Sequence, residues 1–529
     1  MATDASGRGR PLFAEPVGGP QLRSPDRRTS PTRVLDPATA YQVLDQSAPR
    51  TTVFVNDALL VRGWHRETER ALGDVAARAG FRLSWDPERR SDRDLIARAG
   101  LEPDTRRELE DVWVTRARLV PLTDRPDAVF PPVDAWRLLQ RFRAEAADAE
   151  RRLDVALEHP AELGIDPAPY TNGHPYTNGH PGGLGHVAAL SPYAVAGSGG
   201  RQPVTWLGPP PAPDPRLDPG LRRPVVAVLD SGVGTHPWLD GTVLHRPAVL
   251  GQPIGLPPLD EELGTLADTE ELVGELGPDA GHGTFIAGLV RQACPDARIL
   301  SVRLFRDTGV VEEGVLLRAL QLLVLHQLKA QAGDPSCPFV DVVSLSLGYY
   351  HEQPEDPGFD RLLEGPLRLL GRYGVAVVTS AGNDATDRPL YPAAFAAQEP
   401  PDAVPLSAVG ALNPDGTVAL FSNDGPWVRY LRPGAGLVST LPTTLDGSQE
   451  ATHRMVTARG ERRSSIDPDR FSSGFAVWSG TSFAAPVLAG QLAAELLRRA
   501  AGGDAGTDRE AAVARGRSAV AALQRRQRA

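Results

Sequence analysis

The chain has 529 residues, 41% of them apolar, which is long enough for several cores and too apolar for wholesale disorder. A formal net charge of −10 argues against the backbone of a nucleic acid as the main partner. Two cysteines, Cys294 and Cys337, make neither a disulfide framework nor a Cys-rich zinc site, and leave open only a single bridge between them.

Residues 1–45 are rich in Arg, Pro, Gly and Ser, lack periodicity, and read as a disordered segment. They carry no apolar core of a secretory signal, and no stretch of the chain approaches the ~20 apolar residues of a membrane span. The expectation is a cytoplasmic protein with no membrane partner, with export by another route or a misassigned start left open. Residues 46–160 then follow the order β-α-β-β-α of a small α+β domain. Thr52 to Val61 is a strand region interrupted at Asn56-Asp57, residues 66–79 are helical, and Phe81–Trp85 and Val112–Val120 alternate like strands. Val133, Trp136, Leu139 and Phe142 start an apolar stripe that extends through Leu153, predicting one helix of about 25 residues after Pro131-Pro132.

Residues 161–222 form a Pro/Gly-rich linker with a tandem repeat, PYTNGH at 169–174 and again at 175–180. His174, His180 and His186 fall six apart, but a flexible spacer holds no ligand geometry, so low complexity is the better account. From residue 223 to 500 short apolar runs (Val225–Leu229, Ile299–Val302, Val340–Leu345, Val375–Val378) alternate with helical segments at 284–292, 312–330 and 359–371. That is the pattern of a parallel sheet covered on both faces. Residues 501–529 read as an exposed helical tail.

Four segments place a reactive side chain at the end of a strand or the start of a helix. VVAVLDSGV delivers Asp230 at the carboxyl end of a strand, where open α/β sheets build their sites. Taken alone, such a carboxylate is more often a cap for the next helix. AGHGTFIAG puts His282 between glycines at a helix start, a place that suits a packing histidine equally well. SGTSFAAPVLAG opens a helix at Ser482, with small residues behind it and Pro486 in the first turn; amides at a helix start favour an anion forming beside the hydroxyl. VVTSAGND ends a buried strand at Asn383, a side-chain amide able to donate to developing negative charge.

Together these segments resemble the subtilisin-like serine proteases over about residues 223–500, including the order Asp, His, Ser. The resemblance implies a three-layer α/β fold with a central, mostly parallel sheet covered by helices, preceded by the small α+β domain. It implies a serine endopeptidase with Asp230, His282 and Ser482 as triad and Asn383 in the oxyanion hole, acting on a polypeptide. By the same resemblance Ser346, Leu347 and Gly348 form the edge that pairs with substrate, and Ser380, Ala381 and Gly382 the wall of the first pocket. Residues 46–160 match a propeptide in size, which implies an intramolecular inhibitor released by cleavage within 187–222. Phe285 stands where many members carry His, and the chain runs from Gly288 to Cys294 without the insertion that binds calcium in subtilisins. No metal site is therefore identified and no cofactor is expected, with calcium left open at a site the sequence does not identify.

Residues 251–280 carry eight acidic side chains and no Lys or Arg, and with Asp384 they suggest an acidic rim, although a solvated loop is the simpler account. Residues 445–475 are an Arg-bearing insertion ahead of the nucleophile: a lid, a hairpin or decoration. Two other functions remain open at this level, a dedicated processing protease recruited by its N-terminal domain and a catalytically silent peptide-binding module. A dinucleotide site is excluded because no Gly-x-Gly-x-x-Gly follows Val225–Leu229.

Overall fold

A strand buried on both faces must be apolar at every position, and Val225–Asp230 is the central case: all six of its residues are buried. The structure, a computed structural model, describes residues 31–43, 48–122, 132–146, 149–163, 200–257, 276–277, 279–305, 309–353 and 361–528. The Val225–Asp230 strand lies inside a seven-stranded sheet with the order Val243–Leu244, Arg298–Arg303, Val225–Asp230, Val342–Leu345, Ala376–Ser380, Ser407–Leu412, Val428–Pro433. Every neighbouring pair is parallel.

The period of two sorts each strand between two cores. Val226 and Val228, Ile299, Val342, Ala376 and Val378 face one layer, with the helices His282–Ala293 and Thr481–Ala501. Val225, Ala227 and Leu229, Leu300 and Val302, Val343 and Val377 face the other, with Glu313–Gln331 and Arg361–Arg372. This is the three-layer α/β arrangement expected from the sequence. Cys294 belongs to the first core and Cys337 to the second, so both remain free thiols and the sequence-level option of a bridge is not realised.

The N-terminal unit is an antiparallel four-stranded sheet in the order Phe81–Trp85, Val114–Pro121, Ala58–Arg62, Val155–Leu157. Leu59 and Val61 face its own helices, Arg66–Arg78 and Ala135–Glu145, whereas Leu60 faces the second core of the large domain. The unbroken apolar run from Ala58 to Val61 is thus buried on both sides, and the small unit docks on Glu313–Gln331 through Leu60, Leu95, Leu109 and Trp113.

Several boundaries differ from the sequence reading. Thr32–Leu35 lies within the segment read as disordered, yet it pairs with Thr52–Val55, because two exposed strand edges satisfy each other's amides. The single helix from Val133 ends at Glu145; after a separate turn at Ala149–Leu153 the chain becomes the strand Val155–Leu157, as pairing with Ala58–Arg62 overrides the apolar stripe. The supposed linker contributes structure at both ends: Pro160–Glu162 is a strand, and Gln202–Pro203 pairs with Phe475–Trp478. The C-terminal tail is a helix, Arg509–Arg528, but it is not exposed along its length: Ala512, Ala519, Val520 and Leu523 are buried, and Ala512 sits tight against Gly374. The insertion at 445–475 is a hairpin, Arg454–Val456 against Arg462–Ser464, on a base held by buried Leu445 and Phe471. The histidines His174, His180 and His186 and most of the acidic stretch at 251–280 lie outside the described residues. No described helix is long and apolar enough to cross a membrane.

Candidate active site

The carboxyl edge of the parallel sheet collects three of the sequence candidates. Asp230 ends the central strand; its Oδ1 accepts the N–H of Ser231 at 2.7 Å and lies 2.8 Å from His282 Nδ1, with Oδ2 at 3.0 Å. His282 opens the helix His282–Ala293 after Gly281, which adopts the left-handed φ of 80° that glycine tolerates. The helix start is held to the strand end by Ser231, whose Oγ accepts the Gly283 N–H at 3.1 Å. The imidazole packs edge-on against Trp478 and tilted against Phe483, and Phe285 completes that aromatic cluster one turn below. His282 is fully buried, and its Nε2 has no hydrogen-bond partner among the described residues.

Ser482 is the second residue of the helix Thr481–Ala501, beside Asn383. Asn383 Oδ1 accepts from both the N–H and the hydroxyl of Thr481, each at 2.8 Å. With its oxygen end so occupied, the amide keeps its nitrogen, a donor, near the helix start, 3.6 Å from where a Cβ on Gly480 would lie. The Ser346 hydroxyl donates to the Ser482 carbonyl at 3.0 Å, fixing the Ser482 backbone from the other side.

The cleft in front of Ser482 is filled by the chain itself. Pro160–Glu162 runs antiparallel to Val310–Glu312, and on its other edge Glu162 exchanges two hydrogen bonds of 3.0 Å with Gly348. The segment therefore completes a three-stranded ribbon, and the Ser482 hydroxyl donates to the carbonyl oxygen of Leu163 at 2.9 Å. Of the residues read as the substrate edge, Gly348 pairs with this segment, Ser346 braces Ser482, and Leu347 is buried in the core. Ser380 and Ala381 are engaged by the neighbouring strand through Val409, and Gly382 donates to the Thr481 hydroxyl at 3.1 Å. Asp384 is not a free acidic rim residue: Tyr350 donates to its carboxylate, and its own N–H is bound to Asn423.

Sequence reading missed the inserted segment and the strand that pairs with it. Val310–Glu312 and Pro160–Glu162 are three residues each, too short for any periodicity, and they are 150 positions apart. It also missed a buried ionic cluster where the small unit meets the large one. His159 Nδ1 lies 3.2 Å from Glu313 and Nε2 3.1 Å from Glu352, with the ring stacked on Tyr349. Burial alone would push the His159 pKa down, but the bonds to Glu313 and Glu352 outweigh it and push it up to about 10. Among the described residues no group of three or more His, Cys, Asp or Glu is placed to hold a metal ion.

A strand-end carboxylate bonded to a buried imidazole, with a serine at a helix start on the same sheet edge, is the set of groups that Ser-His-Asp hydrolases use. Residues 222–511 match the Subtilase family, and the chain belongs to it. A thermophilic serine proteinase of Bacillus sp. strain AK1 is 29% identical over 218 residues, 41% of this chain and 45% of that protein. Serine protease AprX of Bacillus subtilis strain 168 is 26% identical over 305 residues, 52% of this chain and 57% of that one. The chain thus spans about half the length of these relatives. Fervidolysin from Fervidobacterium pennivorans, a keratinolytic enzyme related to subtilisin, aligns with 84% of this chain and 55% of its own at 16% identity, with a TM-score of 0.40.

Proposed function

We propose that the protein is a serine endopeptidase acting on extended polypeptides, held in check by its own N-terminal unit. The observation that carries this reading is the seating of residues 160–163 as a strand between Val310–Glu312 and Gly348, with the Leu163 carbonyl oxygen 2.9 Å from Ser482 Oγ. Strand addition of this kind is how an extended peptide is held by backbone bonds while side chains remain variable.

In turnover Ser482 Oγ attacks the scissile carbonyl carbon as its proton passes to His282 Nε2, the unoccupied ring nitrogen. Asp230, bonded to Nδ1, fixes the tautomer and stabilises the imidazolium. The oxyanion is received by Asn383 Nδ2 and the Ser482 N–H at the helix start. His282 then protonates the departing amine, and water repeats the sequence on the acyl-enzyme to regenerate Ser482. The chemistry draws on no metal or cofactor.

In the arrangement described here the Ser482 hydroxyl donates to a carbonyl oxygen instead of to His282 Nε2, so its lone pair is not activated toward that carbonyl. That is the pose of a stalled occupant, and it supports reading the N-terminal unit as an intramolecular inhibitor. The first peptide bond within reach is Leu163–Gly164, upstream of the 187–222 window inferred from the sequence.

The test compares the wild-type chain with Ser482→Ala on a fluorescent casein, with chain length followed by gel and mass spectrometry. Cleavage of casein with release of a fragment ending near Leu163, both absent in Ser482→Ala, supports the reading. Equal processing in the two chains sinks the self-cleavage half, and equal casein activity sinks the rest.

A further inference from the structure

The segment downstream of the inhibitory strand returns to the active site. Gln202–Pro203 adds an edge to Phe475–Trp478, and Arg201, immediately before it, is 2% exposed. Its guanidinium lies 5.0 Å from the centre of the Trp478 ring. Nη1 donates to the carbonyl of Ala280 and Nη2 to that of Gly277, both at 2.8 Å. These carbonyls flank Asp279, whose own carbonyl accepts the His282 N–H at 2.9 Å.

Asp279 is 0% exposed, and neither of its carboxylate oxygens accepts a hydrogen bond from another described residue. A buried carboxylate in that condition is strongly disfavoured in charged form unless opposite charge stands near it. Two such charges are in place: the guanidinium of Arg201, which does not deprotonate, and the imidazolium of His282 when it carries the serine proton. Burial pushes the Asp279 carboxyl upward, with His282 and Arg201 opposing. The charged groups around His282 are thus Asp230 on the central strand, Asp279 on the loop before the helix, and Arg201 on the returning segment.

We propose that Asp279 and Arg201 are positioning residues for the catalytic base: the buried Asp279 carboxylate stabilises protonated His282, and Arg201 fixes the loop that carries Asp279 and, as a buried cation on that loop, favours its ionised form. The assignment rests on the protease reading above. It has a structural consequence: Arg201 has to remain on the processed chain, which a cut at Leu163–Gly164 allows and a cut within 202–222 does not.

The test is titration of the His282 ring in the full-length Ser482→Ala chain labelled with 13C at histidine Cε1, its resonance assigned by loss in His282→Gln. Asp279→Asn leaves the guanidinium unopposed and lowers the midpoint, by about half a pH unit or more. Adding Arg201→Met removes that remaining charge and recovers part of the drop, while Arg201→Lys alone keeps the charge and leaves the midpoint in place. An Asp279→Asn midpoint equal to the parent, or a double variant that stays at the Asp279→Asn value, overturns the proposal. In the active chain the acid limb of kcat/KM moves the same way; loss of rate with an unmoved limb marks a purely structural role and also overturns it. The titration needs no turnover, so a chain inert toward casein counts against the protease reading and not against this pair.

Discussion

A Cβ on Gly283 would lie 2.1 Å from the carbonyl oxygen of Gly232. The helix that carries His282 and the turn that follows Asp230 therefore touch backbone to backbone, and this contact sets the distance between the two side chains. Gly283→Ala forces the elements apart. We expect activity on casein to fall by about 100-fold or more, as a displacement near 1 Å at the reacting groups does. Thermal unfolding run beside the assay separates the two effects: a destabilised chain with full activity per folded molecule would be the wrong outcome.

Ser482→Ala removes the nucleophile and leaves the hydrogen bonds of Asn383, Thr481 and Ser346 in place. The expected loss in kcat is on the order of 10⁶-fold, with an unfolding midpoint near that of the wild type. Mass spectrometry of the purified variant should find only the intact chain.

The inhibitory strand is held through backbone bonds, so its grip is broken by removing a donor. Glu162→Pro takes away the N–H that reaches the Gly348 carbonyl at 3.0 Å. We expect earlier onset of casein cleavage in a progress curve, by about tenfold, as each lost bond of this kind costs about 1 kcal/mol and the ring disturbs its neighbour. A lag unchanged from the wild type would mean that the strand does not limit access to Ser482.

Docking of the small unit should depend on pH through His159. Its folded pKa lies near 10, above the ordinary value of 6.5, so charged His159 contributes stability fully below about pH 6.5. That contribution fades as the pH rises toward 10. Glu352 runs the other way: its burial, which opposes ionisation, is outweighed by His351, His159 and Arg143, which hold its carboxyl well below the ordinary value of 4.5. Its contribution is complete above about pH 4.5 and is lost only as the pH falls toward that depressed value. The unfolding temperature of Ser482→Ala should therefore peak between about pH 4.5 and 6.5 and decline above it. His159→Phe leaves Glu313 and Glu352 without their shared partner; it should lower stability by about 3–5 kcal/mol and abolish the alkaline decline.

Cys294 and Cys337 sit in separate cores on opposite faces of the main sheet. Burial pushes the Cys294 thiol up to about 11. Both thiols should resist a disulfide reagent in the native chain and react, two per molecule, in guanidinium. A native chain that yields no free thiol on unfolding would contradict the packing.

The sequence by itself determined the large domain and singled out the candidate reacting groups. Val225–Leu229 and the other apolar runs can be nothing but strands buried on both faces, and Asp230, His282, Asn383 and Ser482 each stand where such a strand stops or a helix starts. Those are local facts, carried by residue type and spacing within about ten positions. What the sequence left undecided depends on partners far away in the chain. Pro160–Glu162 is a strand only because Val310–Glu312 and Gly348 flank it; Arg201 is a buried cation only because the Ala280 and Gly277 carbonyls and the Trp478 ring lie across from it; and the Arg509–Arg528 helix is covered only because Gly374 leaves room for Ala512. Hydrogen bonds and charge pairs between distant segments leave no period in the sequence, so tertiary packing alone decided that the cleft of this subtilase is filled by its own chain.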